Sequence, residues 1–268
     1  MELRTFAAKI LQSESIEEKL SGPVGQLTDI DPGPVQRIEE PKRPAHLKIN
    51  HSQKVKVPKI EGMADPAQRA RIIHALANHE LQAVELFAWA ILAFPEAPSE
   101  FRRGLLGIII DEQKHFRLYQ KRLRALGVEF GDHPVTCHFW TKIPEVQTPL
   151  EFACTMGLTF ENANLDFAQE YAAAAMEIGD TETARALDVV HRDEIRHVRF
   201  GWRWLDYFKE QDKDHWQAYN ENVTWPLGPS RARGASFDSQ ARKQAGFSDS
   251  FIEKLRASKA ESPGGSHR

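Results

Sequence analysis

The stretch "VVHRDEIRHVRFGW", residues 189–202, places a glutamate and a histidine inside the apolar stripe of an amphipathic helix. Glu194 and His197 are three residues apart and share the face that carries the valine and leucine side chains. An ionised carboxylate that is buried without a partner costs several kcal/mol, so this face needs a reason to accept one. The pattern therefore predicts a buried site rather than a simple apolar core.

The same pattern occurs elsewhere along the chain. The stretch "IIIDEQKHFRLY" carries Glu112 and His115 at the same spacing. Two further amphipathic segments carry one glutamate each on the predicted core face, Glu80 and Glu161. The separations Glu80–Glu112 and Glu161–Glu194 are 32 and 33 residues (112 − 80 and 194 − 161), so the two halves form a pseudo-repeat.

Glutamates that converge in a core need positive charge nearby, because burial of an unpartnered carboxylate is unfavourable. Metal cations supply that charge when a glutamate comes from each of two helices and Glu-x-x-His from each of the other two. The mixed nitrogen and oxygen ligands fit iron or manganese and admit zinc. We predict that two metal ions, for which we expect iron, are bound by such a set in this chain: Glu80, Glu112, His115, Glu161, Glu194 and His197.

Other residues remain alternatives. Glu85 lies about 140° round the helix from Glu80 and could replace it as a ligand. His191 lies one turn before the second Glu-x-x-His motif and could ligate a metal or support the ligands. Tyr119 lies one turn after the first motif and is interpreted either as a tyrosine packed in the core or as a redox-active tyrosine. The plainest interpretation is that the acids form buried ion pairs with one of three basic residues: Lys114, Arg196 or Arg199.

Capping and breaking signals divide the middle of the chain into four long helices. Asp65 and Thr148 are predicted N-caps followed by proline, and Gly127 and Gly179 are predicted to end helices. The predicted helices are 66–94, 99–126, 149–178 and 181–210. The connections between successive helices are short, long and short, and the long one is a crossover at 128–147. We therefore predict an all-α antiparallel four-helix bundle.

Segments outside the bundle fall at both ends of the chain. The predicted regions are an N-terminal helix and Pro-rich arm packed on the bundle (1–64), the bundle (65–211), and a C-terminal extension with a frayed tail (212–268). Short helices are predicted at 3–12, 214–223 and 248–258. The arm and the segment 224–234 are expected to cover a cavity leading to the metals, in which Gly157 and Gly201 leave room.

Composition and charge exclude several classes of protein. The 268 residues carry a net charge of −3 and a pI near 6.4, which argues against nucleic-acid binding by bulk electrostatics. Cys137 and Cys154 show no CxxC spacing, and no apolar run has the length of a signal peptide or membrane span. The sequence therefore predicts a cytoplasmic protein that does not cross a membrane.

The bundle segments resemble a known superfamily. "HELQAVEL", "DEQKHFRLYQKRLRALG", "FENANLDFAQEYA" and "DEIRHV" are similar to ferritin-like di-iron carboxylate proteins, and to an uncharacterised bacterial ferritin-like family among them. Asp-Glu-x-(Lys/Arg)-His, which occurs twice, also resembles a motif of di-iron monooxygenases. By this resemblance Asp111 would orient His197, and Asp193 would orient His115.

Resemblance and ligand set together predict an O₂-activating di-iron oxidase or hydroxylase. Its substrate would be a small organic molecule or a modified base, and it would need an external electron donor; a homodimer is compatible with the sequence. A ferroxidase or metal-handling role is the alternative, although about 65 residues before the bundle and 55 after it favour a covered enzyme site. A tRNA hydroxylase-like activity is a second alternative and would use a basic cluster: Arg231, Arg233, Arg242 and Lys243.

Overall fold

The computed structural model describes residues 1–50, 55–223 and 227–259, and these residues form an all-α fold. The helices are α1 (Leu3–Gln12), α2 (Ile16–Lys19), α3 (Pro66–Ala93), α4 (Ser99–Ala125), α5 (Pro149–Phe152), α6 (Glu161–Glu177), α7 (Thr181–Phe208), α8 (His215–Glu221), α9 (Ser239–Ala245) and α10 (Asp249–Ala257). A π-helical segment, Ala153–Phe160, joins α5 to α6, and 3₁₀ turns lie at Ala45–Leu47, Ile60–Ala64, Trp140–Glu145 and Pro229–Arg231. Among the described residues, no helix has both the length and the apolar character of a membrane span.

Most predicted helix ends are confirmed because the predicted caps form. The Asp65 carboxylate accepts a hydrogen bond from the Gln68 backbone N–H at 2.8 Å, and Thr148 forms a capping box at the start of α5. Gly127 and Gly179 have φ of 74° and 77°, in the left-handed region that ends helices. Helices α2 and α9, the π-helical segment and the 3₁₀ turns of the described residues were not predicted.

The chain divides into two compact units. The first comprises residues 1–144 and 174–186, and the second comprises residues 145–173 and 187–268. Helices α3 and α4 lie wholly in the first unit, whereas α6 and α7 contribute residues to both. The assembly of the four long helices into one ferritin-like bundle, and the three-region division of the chain, stay predictions.

In the first unit, the N-terminal residues lie on α3 and are held by both apolar and polar contacts. Helix α1 buries one complete face: Leu3, Phe6, Ala7, Ile10 and Leu11. The arm that follows donates a backbone hydrogen bond from Gln36 to the Leu92 carbonyl at 2.9 Å. Among the apolar residues of the arm, Leu27 and Leu47 are buried, whereas Val24 and Ile30 are 93% and 84% exposed and do not anchor it.

The arm is also anchored by an ion cluster around Glu85, whose charged side chains are completely buried. Arg43 donates two hydrogen bonds to the Glu85 carboxylate, at 3.0 and 2.6 Å, and Lys19 Nζ lies 3.1 Å from Oε1. Trp140 donates its indole N–H to Oε2 at 3.1 Å. Burial disfavours ionisation, but Arg43 and Lys19 hold the pKa of Glu85 below its ordinary value. The cluster therefore links α2, the arm and the 140–145 turn to α3.

In the second unit, α6 and the preceding π-helical segment run antiparallel to α7. Gly157 contacts Gly201, Asn164 donates a hydrogen bond to Glu194, and Gln169 meets His191. The position along α7 falls as the position along α6 rises, which defines an antiparallel pair. This pairing sets the height at which side chains from the two helices meet.

The C-terminal residues of the second unit are fixed to α6 by a buried arginine. Arg242, on α9, forms a bidentate pair with Asp166 at 2.8 and 2.9 Å, and both side chains are completely buried. Asp166 also accepts backbone hydrogen bonds from Gly234 and Asp238. The same unit has an apolar core in which Tyr219, Phe251 and residues of α6 and α7 are buried together. Residues 224–226 of the predicted covering segment lie outside the described residues.

Candidate metal centre

The first unit contains a cluster of two glutamates and one histidine. Glu80 comes from the middle of α3, and Glu112 and His115 come from successive turns of α4. One ligand atom from each residue lies within 4.8 Å of the others, and all three side chains are buried. His115 Nδ1 is 3.4 Å from Glu112 Oε2. Because α3 and α4 are joined by a short loop, residues at similar distances from that loop meet, as the sequence predicted.

The second unit contains a cluster of the same composition. Glu161 is the first residue of α6, and Glu194 and His197 lie one turn apart on α7. Their ligand atoms also lie within 4.8 Å of one another, and all three side chains are buried. His197 Nδ1 is 3.1 Å from Glu194 Oε2, and the Asn164 amide donates to Glu194 Oε1 at 2.7 Å. We refer to these clusters as the first triad (Glu80, Glu112, His115) and the second triad (Glu161, Glu194, His197).

The donor set of each triad fits a divalent transition metal. Oxygen and nitrogen ligands lie about 2.0–2.2 Å from such an ion, so two ligands of one ion are at most about 4.4 Å apart. The ligand atoms of each triad lie within 4.8 Å of one another, so only small side-chain movements are needed to bring three donors onto one cation. Two carboxylates and one imidazole suit iron, manganese or zinc, so the ligands alone do not select one metal.

The π-helical segment determines where Glu161 points. Thr159 Oγ1 donates to the Cys154 carbonyl at 2.9 Å, five residues earlier, and lies 2.8 Å from the Tyr219 hydroxyl. A π-helical turn holds more residues than an α-helical turn, so it rotates every later side chain relative to an uninterrupted α-helix. The direction of Glu161 from the helix axis thus depends on eight residues whose sequence predicts an ordinary α-helix.

A family model described as "Protein of unknown function (DUF455)" matches residues 3–253, which is most of the chain and includes both triads. The chain belongs to the DUF455 family. An "Uncharacterized protein" of Haemophilus influenzae (strain ATCC 51907 / DSM 11121 / KW20 / Rd) is 28% identical to it over 143 residues, and the match covers 50% of each chain. The chain thus spans about half the length of this curated relative. No solved structure matches the chain.

Residues predicted to support the ligands of this DUF455 protein lie in several environments. Tyr119 is completely buried on α4. Asp193 is buried and lies 2.7 Å from Arg196 Nη1, whereas Asp111 is partly exposed and lies 3.9 Å from Lys114 Nζ. The predicted pairing of each aspartate with a histidine of the other half stays a prediction.

Two alternatives to the predicted ligands have other partners. His191 lies 2.9 Å from the Gln169 amide and 3.4 Å from Asp238, and Glu85 is engaged by the ion cluster on α3. Neither residue belongs to a triad. Asn164 was missed by the sequence analysis, although its position one turn into α6, on the side of Glu194, could have indicated it.

Gly157 and Gly201 do not leave room in a cavity, contrary to the expectation from sequence. A Cβ atom added to Gly157 would lie 2.9 Å from the Cα of Gly201, and one added to Gly201 would lie 3.0 Å from the Cα of Gly157. Real Cβ atoms do not approach backbone so closely. The two glycines therefore allow close contact between two helices, and they lie one turn from Glu161 and His197.

Gly201→Ala is expected to destabilise this DUF455 protein by about 1–3 kcal/mol, because the methyl group must push two backbones apart. The same movement would displace Glu161 from His197 and is expected to weaken binding of the metal ion predicted for the second triad. Gly107→Ala is the matched control, since its Cβ would meet nothing within 4 Å and a helical Gly→Ala change stabilises by roughly 0.5–1 kcal/mol. Thermal unfolding and metal titration measure both effects, and equal behaviour of the two variants would contradict the close-contact role.

Proposed function

We propose that the protein is a dimetal carboxylate oxidoreductase that uses O₂ to oxidise or hydroxylate a small organic substrate. The observation that supports this proposal most directly is the occurrence of two buried triads of identical composition, Glu-Glu-His, on four long helices. A single buried cluster of this kind could be a structural ion-pair network. Two clusters in the pseudo-repeat favour two metal ions that act together, one held by each triad.

Iron is the metal that this proposal favours. When bound, two iron ions would supply the electron transfer to O₂ that no amino-acid side chain provides. Glu80, Glu112 and His115 would hold one ion, and Glu161, Glu194 and His197 would hold the other. Manganese and zinc are also compatible with the donor atoms, but only manganese is redox-active, as iron is.

The side chains of the protein would orient the ligands and exclude water from them. The Asn164 amide donates to one oxygen of Glu194, so the other oxygen is directed toward His197. Burial of all six ligand residues keeps bulk water away from the metals, which strengthens the electrostatic interactions of the site.

Two observations favour an oxygenase over the alternatives. The segments outside α3, α4, α6 and α7 are fixed by buried ion pairs, Arg43–Glu85 and Arg242–Asp166, as expected of a covered enzyme site. The basic cluster that a tRNA hydroxylase-like activity would use is only partly on the surface, because Arg231 and Lys243 are exposed but the other two residues are engaged in the fold. Arg242 is completely buried, Arg233 donates to the Ser258 carbonyl, and Lys243 is paired with Asp249.

The proposal is tested on the intact chain, because removal of residues 1–60 would leave Glu85 buried without Arg43 and Lys19. Protein loaded anaerobically with Fe(II) is expected to retain about two irons per chain. Exposure to O₂ should change its optical spectrum while the iron content stays constant. Magnetic coupling between the two irons, measured by Mössbauer spectroscopy, would support their action as one centre.

Two results would overturn the proposal. Repeated additions of Fe(II) under air that accumulate far more than two irons per chain would indicate a storage or ferroxidase protein. If protein purified from iron-rich cells contains no transition metal, the proposed metal centre does not exist. The variants Glu112→Ala and Glu194→Ala distinguish binding at the triads from adventitious binding elsewhere.

A further inference from the structure

A cleft of about 220 Å³ opens in the first unit, away from the first triad. Part of its wall is formed by His74 and Asn78 of α3, which precede Glu80 by six and two residues. At about 100° per residue, these side chains lie roughly 240° and 200° round the helix from Glu80. The cleft is therefore on the other side of α3 and is not part of the proposed metal centre.

An acceptor without a donor lies in the wall of this cleft. The Asn78 amide nitrogen donates to the backbone carbonyl and to the hydroxyl of Thr136, at 3.0 and 3.1 Å. These two acceptors fix the orientation of the amide, because a flipped amide would place its oxygen against the carbonyl. Asn78 Oδ1 is buried and has no hydrogen-bond partner among the described residues, and Asn78 is 1% exposed. A buried acceptor of this kind is unfavourable until a ligand or water donates to it.

The neighbouring histidine is a neutral donor. Burial, reinforced by His133, lowers the pKa of His74 to about 4, although Asp132 opposes the shift. His74 Nε2 accepts the Gly131 backbone N–H at 2.9 Å, so the ring proton of neutral His74 is on Nδ1. The inner part of the cleft thus combines one fixed acceptor with one fixed imidazole.

The outer part of the cleft is positively charged. Lys56 and Arg71 line it and are exposed, and the Arg71 guanidinium donates to the Lys56 carbonyl at 2.7 Å, which holds the two residues together. His133 lines the same cleft. The described residues that line it include no carboxylate, so its field favours an anion.

We propose that this cleft binds a small organic anion that also carries a hydroxyl or amino group. The anionic group would lie against Lys56 and Arg71, and the hydroxyl or amino group would donate to Asn78 Oδ1. The volume of about 220 Å³ is below the roughly 300–1,000 Å³ of pockets that hold drug-sized ligands, which restricts the ligand to a small phosphorylated or carboxylated molecule. This site is independent of the proposed dimetal activity.

Glycerol 3-phosphate and lactate are suitable probes, because each combines an anion with a hydroxyl group. Titration at millimolar concentration, followed by nuclear magnetic resonance of the Asn78 side-chain amide, is expected to give a saturable shift for at least one of them. Glycerol and inorganic phosphate, which each have one of the two groups, should bind at least about tenfold more weakly. The double variant Lys56→Ala/Arg71→Ala should weaken binding of the active probe by about tenfold or more.

The matched control is Lys121→Ala/Arg124→Ala, which removes two exposed cations from α4 and is expected to leave binding unchanged. Asn78→Ala, followed through the Gly131 backbone amide that donates to His74, should weaken binding of the hydroxylated probe while leaving the response to inorganic phosphate unchanged. The proposal is overturned if neither probe gives a saturable shift, if glycerol binds as well as glycerol 3-phosphate, or if both double variants lose the same affinity. The cleft lies on the other side of α3 from Glu80, so loss of probe binding and loss of metal are separate outcomes.

Discussion

Glu112→Ala is expected to lower the metal content of the protein from about two ions per chain to at most one. The substitution leaves Glu80 and His115 as the only donors of the first triad, and two donors do not hold a divalent ion against desalting. Metal content after anaerobic Fe(II) loading and gel filtration, measured by plasma mass spectrometry, gives the result directly. Glu194→Ala should act in the same way on the second triad.

The control for both variants is Glu100→Ala, which removes an exposed carboxylate from the first turn of α4. It is expected to keep the metal content of the natural protein. Full occupancy of two ions in Glu112→Ala or in Glu194→Ala would show that the triads are not the binding sites. Loss of metal in Glu100→Ala as well would indicate weak binding to surface acids instead.

Glu85→Ala should destabilise the protein by about 3–5 kcal/mol, because it leaves Arg43 and Lys19 buried without their carboxylate. For a chain of this size the loss corresponds to a fall in Tm of about 10 °C. Metal content measured well below the lowered Tm should be unchanged, since Glu85 belongs to neither triad. Calorimetry and elemental analysis on the same sample separate the two effects.

Glu182→Ala is the matched control for this variant. Glu182 is exposed and paired with Arg185 on the surface of the same unit, so its removal should change stability by no more than about 1 kcal/mol. If Glu85→Ala stays folded but loses metal while Glu80→Ala keeps it, the predicted register of α3 toward the metals is wrong. A stability loss as small as that of Glu182→Ala would mean that the buried cluster contributes little.

Local signals in the sequence account for the helix ends and for the membership of the triads. Asp65, Thr148, Gly127 and Gly179 act within one or two turns of their own positions, so they could be recognised without tertiary information. The Glu-x-x-His spacing places both side chains on one helix face, and the short α3–α4 loop fixes the height at which Glu80 meets Glu112. These features follow from helical geometry alone.

The features that the sequence did not reveal depend on contacts between distant segments. The apolar residues of 153–160 are compatible with an α-helix, and nothing in their pattern indicates a wider turn. Gly157 and Gly201 could equally line a space or permit contact, and only the packing distinguishes the two. The partners of Glu85 and Asp166 lie 42 and 76 residues away along the chain (85 − 43 and 242 − 166), beyond the range of any helical period.

The ion cluster around Glu85 also constrains the order in which the chain can fold. Helix α3 cannot complete its burial while the Glu85 carboxylate lacks its cations. Lys19 and Arg43 precede Glu85 by 66 and 42 residues (85 − 19 and 85 − 43), so loops of these lengths must close before the cations reach the carboxylate. During synthesis both cations leave the ribosome before Glu85 does, so they remain hydrated until α3 is complete. Docking of the N-terminal arm is then a late, cooperative step that closes this side of α3 and removes three charges from water together.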